Sequence, residues 1–232
     1  QEVTSMTRWL FPLLTSLLSL VFAYFVWEQY YQRRKIHQLL WSVSFLIFAF
    51  AAFAEFYSEV WGWTPWLYRL YYVAAALLVG VMGAGTVYLL AHRPAAHAFL
   101  AYVALVGAAF LAAALRAPVD AGAFEPGITV AGKAMPGYVR AFSPLLTGPG
   151  TLALFGGAIY SWWRAGTFYN LLIAAGTAII AGAGFAARMG ASEYLYLAEM
   201  VGLAVIFLGF MRSRELIRQR EREGRAKPSA VG

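Results

Sequence analysis

Apolar positions run along the chain in seven long stretches, at roughly 10–31, 38–58, 66–91, 96–115, 145–163, 168–187 and 194–211, divided by short polar or proline-containing turns. Each is close to the ~20 residues that cross a hydrocarbon layer as an α-helix. The pattern predicts an all-α polytopic membrane protein with seven transmembrane helices in one domain, 1–211, and a charged tail, 212–232. The first stretch is too long for the apolar core of a cleaved leader and its basic cluster follows it, so it reads as the first helix.

Polar and small residues fall at helical spacing within these stretches. The second places Trp41, Phe45, Phe48, Ala52, Glu55 and Glu59 three or four residues apart, which lines them up on one face. In the third, Thr64 and Pro65 form a cap and a first-turn proline, and Tyr68, Tyr72 and Ala76 stack at intervals of four. Ala76, Gly80 and Ala84 continue that line as a ridge of small residues suited to close helix contact, as do Ala174, Ala178, Gly182 and Ala186 in the sixth. Pro12 is expected near the start of the first helix, where a missing donor costs little. In the fifth, Gly148, Pro149 and Gly150 are expected to kink or unwind the first two turns and to act as a hinge. The seventh carries Tyr196, Glu199, Leu203, Ile206 and Phe210 along one face. Between the fourth helix (96–116) and the fifth lies the only long loop, 117–141, rich in Gly and Pro.

Composition agrees with the pattern: 61% of the 232 residues are hydrophobic, 12% are charged, and mean hydropathy is +0.63. The net charge of +7 does not point to nucleic acid, because the basic residues sort by turn. Arg8, Arg69, Arg116, Lys133, Arg140 and Arg188 fall toward one face, while Arg33, Arg34, Lys35, Arg93, Arg164 and the run from Arg212 to Lys227 fall toward the other. The positive-inside rule then places the N-terminus outside and the C-terminus in the cytoplasm of a multi-pass plasma (inner) membrane protein. The basic tail is expected to meet anionic lipid of the bilayer.

Chemistry is sparse. There is no cysteine, hence no disulfide, thiolate nucleophile or Cys-held metal. No HExxH, GxSxG, GxGxxG or phosphate-loop spacing occurs in a supporting context, so neither enzyme activity nor a cofactor is expected. No lysine lies inside a helix to form a Schiff base, and no histidines sit in facing helices to hold haem. What remains is a set of charges at the outer helix ends, above all Glu55, Glu59, Arg69, Arg188 and Glu199. Ionisable groups at membrane depth are costly unless paired or facing a wet cavity. Glu55, Arg69, Tyr68, Tyr72, Arg188, Tyr196 and Glu199 are therefore the candidate ligand-binding residues, with Tyr71, Tyr194, Trp61, Trp63 and Trp66 as further aromatic walls. Two other readings of the same residues are arginine–carboxylate pairs that only fix helix register, and lipid-headgroup contacts.

A weak internal repeat relates 9–91 to 142–211. Pro12-Leu13-Leu14-Thr15 recurs as Pro144-Leu145-Leu146-Thr147, Tyr24 and Trp27 recur as Tyr160 and Trp163, and Leu39-Leu40 as Leu171-Leu172. Parallel three-helix repeats joined by the fourth helix resemble the SWEET sugar transporters and their PQ-loop relatives, including the KDEL receptor, in helix count, orientation and a proline in the first helix of each repeat. Leu13 and Leu145 stand where that family carries glutamine, so no binding residues follow from the resemblance. It implies a small-solute or proton-coupled transporter with an outward-facing polar and aromatic pocket for a small polar or charged ligand. The alternative is a non-transporting sensor or accessory subunit that engages a membrane-protein partner or a second copy of itself.

Overall fold

The computed structural model describes residues 2–124, 132–166, 168–188 and 195–226, with side chains over 9–124, 132–164, 171–186, 195–209 and 211–212. Among them the chain is helical: α1 (Glu2–Arg33), α2 (Ile36–Trp61), α3 (Pro65–Leu90), α4 (Arg93–Arg116), a single turn α5 (Gly137–Arg140), α6 (Phe142–Ala165), α7 (Phe168–Arg188) and α8 (Leu195–Ala226). Seven of these are long, one for each apolar stretch; α3 and α7 match theirs to within a residue, α2, α4 and α6 run up to a turn beyond it, and α1 and α8 run well past it into polar sequence. Five, namely α1 to α4 and the α5–α6 segment, are long and apolar enough to cross a membrane. The described apolar parts of α7 and α8 are shorter, Leu171–Ala186 and Leu195–Gly209.

Local chemistry sets the helix ends. The Thr64 hydroxyl accepts from Leu67 N at 3.2 Å and caps α3, with Pro65 in the first turn. α2 stops at Gly62, whose φ of 86° closes the helix while its N–H reaches the Ser58 carbonyl. Two expectations need correction. Pro12 is not near the start of α1, because the helix begins at Glu2 and holds the proline inside it. The Gly148-Pro149-Gly150 stretch is not unwound, since α6 runs through it as α-helix.

The long helices form a ring in the order α1, α2, α3, α6, α7, α8, closed by contact between α8 and α1, with α4 outside against α3 and α6. Exchanging α1–α3 with α6–α8 leaves this order of neighbours unchanged. The outer faces of the ring are apolar and exposed, as at Leu17, Leu20, Leu46 and Phe53, and so is α4 at Leu105. Hydroxyls lie inside: Ser16 donates to the Ala49 carbonyl and Ser42 to the Ala23 carbonyl, both at 2.9 Å, and so tie α1 to α2. Trp41 Nε1 reaches the Met82 carbonyl at 3.2 Å and ties α2 to α3.

Backbone approach is closest at glycines. A Cβ added to Gly83 of α3 would lie 2.7 Å from Gly150 Cα of α6, and one added to Gly150 would lie 2.5 Å from the Val79 carbonyl. Gly176 of α7 and Gly202 of α8 make a matching crossing, with 2.5 Å from a Gly176 Cβ to the Gly202 carbonyl. Gly148, two residues before Gly150, meets nothing within 4 Å. Gly150→Ala should therefore destabilise the protein by about 1–3 kcal/mol, the usual cost of overpacking against a backbone that cannot yield. Gly148→Ala should be neutral or stabilising by up to about 1 kcal/mol, from helix propensity. Melting temperatures of the two variants in one detergent test this, and equal losses would count against the crossing.

Candidate functional site

The α2–α3 turn, the end of α4, the 117–141 loop and the start of α8 meet at one end of the ring, the carboxylate end. Here α2 presents two acids one turn apart. Glu55 is 2% exposed, and its Oε1 accepts from the Tyr71 hydroxyl of α3 at 2.7 Å. Glu59 Oε1 accepts from the Tyr196 hydroxyl of α8 at 2.9 Å. The Glu55 carboxyl also lies within hydrogen-bonding reach of the Glu199 carboxyl of α8. Glu55 Oε2 has no donor among the described residues. Helical spacing explains the arrangement: residues 55 and 59 share a face of α2, 196 and 199 share a face of α8, and the ring turns those faces toward each other.

A cavity of about 490 Å³ opens beside this pair, between α3, α6, α7 and α8. Glu199 supplies its one carboxylate, and Tyr71, Tyr72, Ser143, Thr147 and Thr151 supply hydroxyls. Its volume is within the range of roughly 300–1,000 Å³ usual for small-molecule sites. Thr147 is back-bonded to the Ser143 carbonyl at 3.0 Å, which fixes its rotamer while a hydroxyl lone pair remains. Gly148 is part of the wall, so the open space beside it is the cavity itself.

Toward the opposite, basic end the space narrows. Val79, Thr151, Ile180 and Ala181 are shared with a second cavity of about 60 Å³ whose other walls, Thr177 apart, are apolar groups such as Phe45, Phe48 and Leu203. Phe45, Met82, Leu154, Thr177 and Ile206 are in turn shared with a third, of about 110 Å³. The three follow the inside of the ring as one line of spaces, polar at one end and apolar beyond it.

The sequence candidates separate into three groups. Tyr72, Glu199 and Gly148 line the cavity; Glu55 lies behind Glu199, and Tyr196 lies on the Glu59 side. Tyr68 and Arg69 do a different job. Tyr68 is fully buried, with the backbone of Gly132 and Ala134 at its hydroxyl and the rings of Trp63 and Phe124 at 5.3 and 5.2 Å. Arg69 Nη2 donates to the Ala117 carbonyl at 2.8 Å. It thus satisfies a buried carbonyl at the C-terminal end of α4 and does not pair with Glu55 or Glu199. Together they pin the loop, in which Ala134, Met135 and Val139 are buried and Asp120 N donates to the Ala134 carbonyl at 3.0 Å. The side chains of Arg188 and Tyr194 lie outside the described residues.

Sequence reading missed the hydroxyl wall of α6, Ser143, Thr147 and Thr151, because attention went to Gly148-Pro149-Gly150 between them. The four-residue spacing of those hydroxyls was the available signal. No protein-family model, no curated protein and no solved structure matches this chain.

Tyr71→Phe should lower stability by about 1–3 kcal/mol, since it strands a buried acceptor at Glu55. Adding Glu55→Met should recover part of that loss, because it removes the acceptor that Tyr71→Phe strands. Thermal unfolding of the single and double variants is the measurement, and a double variant worse than the sum of its parts would refute this role for the bond.

Proposed function

We propose that the protein is a seven-helix plasma (inner) membrane transporter for a small solute, oriented with the N-terminus and the carboxylate end outside. The observation that carries this reading is the Glu199 carboxyl on the wall of the 490 Å³ cavity, with Glu55 Oε2 behind it and, among the described residues, neither a donor to that oxygen nor an arginine paired to either acid. Two carboxyls within hydrogen-bonding reach hold a proton or a cation between them, because both cannot be charged and unpaired in a site walled by helices. The pair therefore serves as the proton site or receives the cationic part of the solute. Tyr72, Thr147 and Thr151 contact the rest of it.

Passage requires the apolar constriction at Phe45, Phe48 and Leu203 to open, and α6 is the helix that moves. Gly148 gives it free space on the cavity side, and Pro149 leaves one helical hydrogen bond unmade. The parallel-repeat resemblance to SWEET and PQ-loop transporters, carried by the sequence correspondences between 9–91 and 142–211, points the same way. The competing reading, a sensor or accessory subunit, draws on the pinned loop at Tyr68 and Arg69, which braces the carboxylate end.

The chain has no cysteine, so single cysteines report without background. Thr147→Cys and Thr151→Cys should be labelled by membrane-impermeant thiosulfonates added outside, and Leu154→Cys should not. A cationic reagent should react about tenfold faster than an anionic one at Thr147→Cys, given the focused field of a carboxylate in a cavity. Glu199→Gln should remove that preference and leave the melting temperature within a few degrees. Unreactive Thr147→Cys, or a large stability loss in Glu199→Gln, would favour the brace over the transporter.

A further inference from the structure

The basic end of the ring holds another cavity, of about 640 Å³, formed where the α1–α2 and α3–α4 turns come together. Arg33, Arg34, Lys35 and His37 enter it from the first turn, and Arg93 and His97 from the second. Among the described residues no carboxylate lines it. Tyr88, Leu89 and Ile36 complete the wall, and Leu89 also borders the 110 Å³ space inside the ring.

Orientation in a membrane requires basic residues near the helix ends, but it does not require them to converge on one concavity. Basic side chains gathered in a hollow whose described wall carries no acid, as Lys35, Arg93, His37 and His97 are, focus a positive potential there. Their arrangement is also held in place. The Arg34 backbone sits at φ 51°, in the left-handed region, and its guanidinium lies 5.0 Å from the Tyr31 ring and 5.8 Å from the Tyr30 ring. His97 Nδ1 donates to the Arg93 carbonyl at 2.7 Å, which leaves Nε2 as its free ring nitrogen. Two helix starts add to the field: neither Lys35 before α2 nor His92 before α4 caps its helix with a side chain, and the wall residues Ile36, His37 and Arg93 are in those first turns.

We propose that this vestibule is a phosphate-binding site, taking a phosphorylated solute or the headgroup of an anionic phospholipid. Guanidinium groups bind phosphate oxygens in pairs, lysine and histidine add point charges, and the apolar wall at Leu89 and Ile36 accommodates the group that carries the phosphate. The site stands independently of the transport reading, since it rests on the opposite end of the ring.

The test uses the full chain in nanodiscs of phosphatidylcholine. Inorganic pyrophosphate is titrated by calorimetry, and in a second arm phosphatidylglycerol is added at a few mole per cent and retained lipid is counted by native mass spectrometry. Wild type should bind at least one of the two probes. Pyrophosphate binding identifies a soluble phosphate as ligand, and retention of phosphatidylglycerol alone identifies the headgroup. Lys35→Gln with Arg93→Gln should weaken binding at least about tenfold, the usual effect of losing charge-assisted hydrogen bonds. Arg93→Lys with His97→Gln keeps the charge that orients the helices and should still weaken binding several-fold. Arg218→Gln with Arg220→Gln, in the tail, should bind pyrophosphate as wild type does, and phosphatidylglycerol lost with these two charges alone belongs to the tail and not to the vestibule. Binding of neither probe by wild type, or equal binding by both vestibule variants and wild type, would overturn the proposal and leave these charges with orientation alone.

Discussion

In hydrocarbon an apolar side chain gains little by exchanging lipid for a neighbouring helix, so the bundle depends on close backbone approach and on hydrogen bonds between helices. Two crossings meet the first requirement, Gly83 on Gly150 between α3 and α6, and Gly176 on Gly202 between α7 and α8. Each of the four glycines lies at least seven residues inside its helix. The 490 Å³ cavity lies between the same helices, α3, α6, α7 and α8, toward the carboxylate end. Gly150 and Gly148 show how two residues on one helix serve the contact and the space respectively.

The polar groups of the carboxylate end then divide by partner. Arg69 is spent on the C-terminal carbonyl of Ala117, and Tyr68 on the backbone of the loop. Those bonds close the α3–α4 side and take the nearest described cation away from the acids. Glu55 and Glu59 are left to tyrosines, Tyr71 and Tyr196, whose hydroxyls donate without neutralising. A tyrosine bond orients a carboxylate and leaves its charge open to a proton or a cationic ligand, whereas an arginine would have closed it. The difference between a brace and a site turns on this distribution of partners.

Much of this was legible in the sequence, because helix count and helix faces follow from local periodicity. Thr64 and Pro65 fixed the start of α3 through cap chemistry, and the spacing of Glu55 and Glu59 placed them on one face. Partners were not legible. Arg69 stands fourteen residues from Glu55 across a tight hairpin and invited a pairing with it, but it is the Ala117 carbonyl at the end of α4, forty-eight residues on, that accepts from it. Pro12 was misplaced because the polar residues of 2–8 end the apolar pattern without ending the helix, which hydropathy does not register. The Gly-Pro-Gly stretch read as a break from composition alone, yet a helix gripped by α3 on one side keeps its form through a proline.

The line of spaces inside the ring has an electrostatic order that composition concealed. Carboxylates stand at one end, basic side chains at the other, and about 60 Å³ of apolar space between them at Phe45, Phe48 and Leu203. A charged group held in that middle section would lose its hydration without finding a partner, a penalty of several kcal/mol even after relaxation. On the transport reading, a cationic solute therefore crosses only when neutralised by the Glu55–Glu199 pair or accompanied by rehydration as the ring opens. The narrow section lies one to two helical turns past Glu199, since Leu203 is on the same face of α8. Moving α6 away at Thr151 would widen that section and lengthen the path between the acids and the solute in one step, because Thr151 is wall to both spaces.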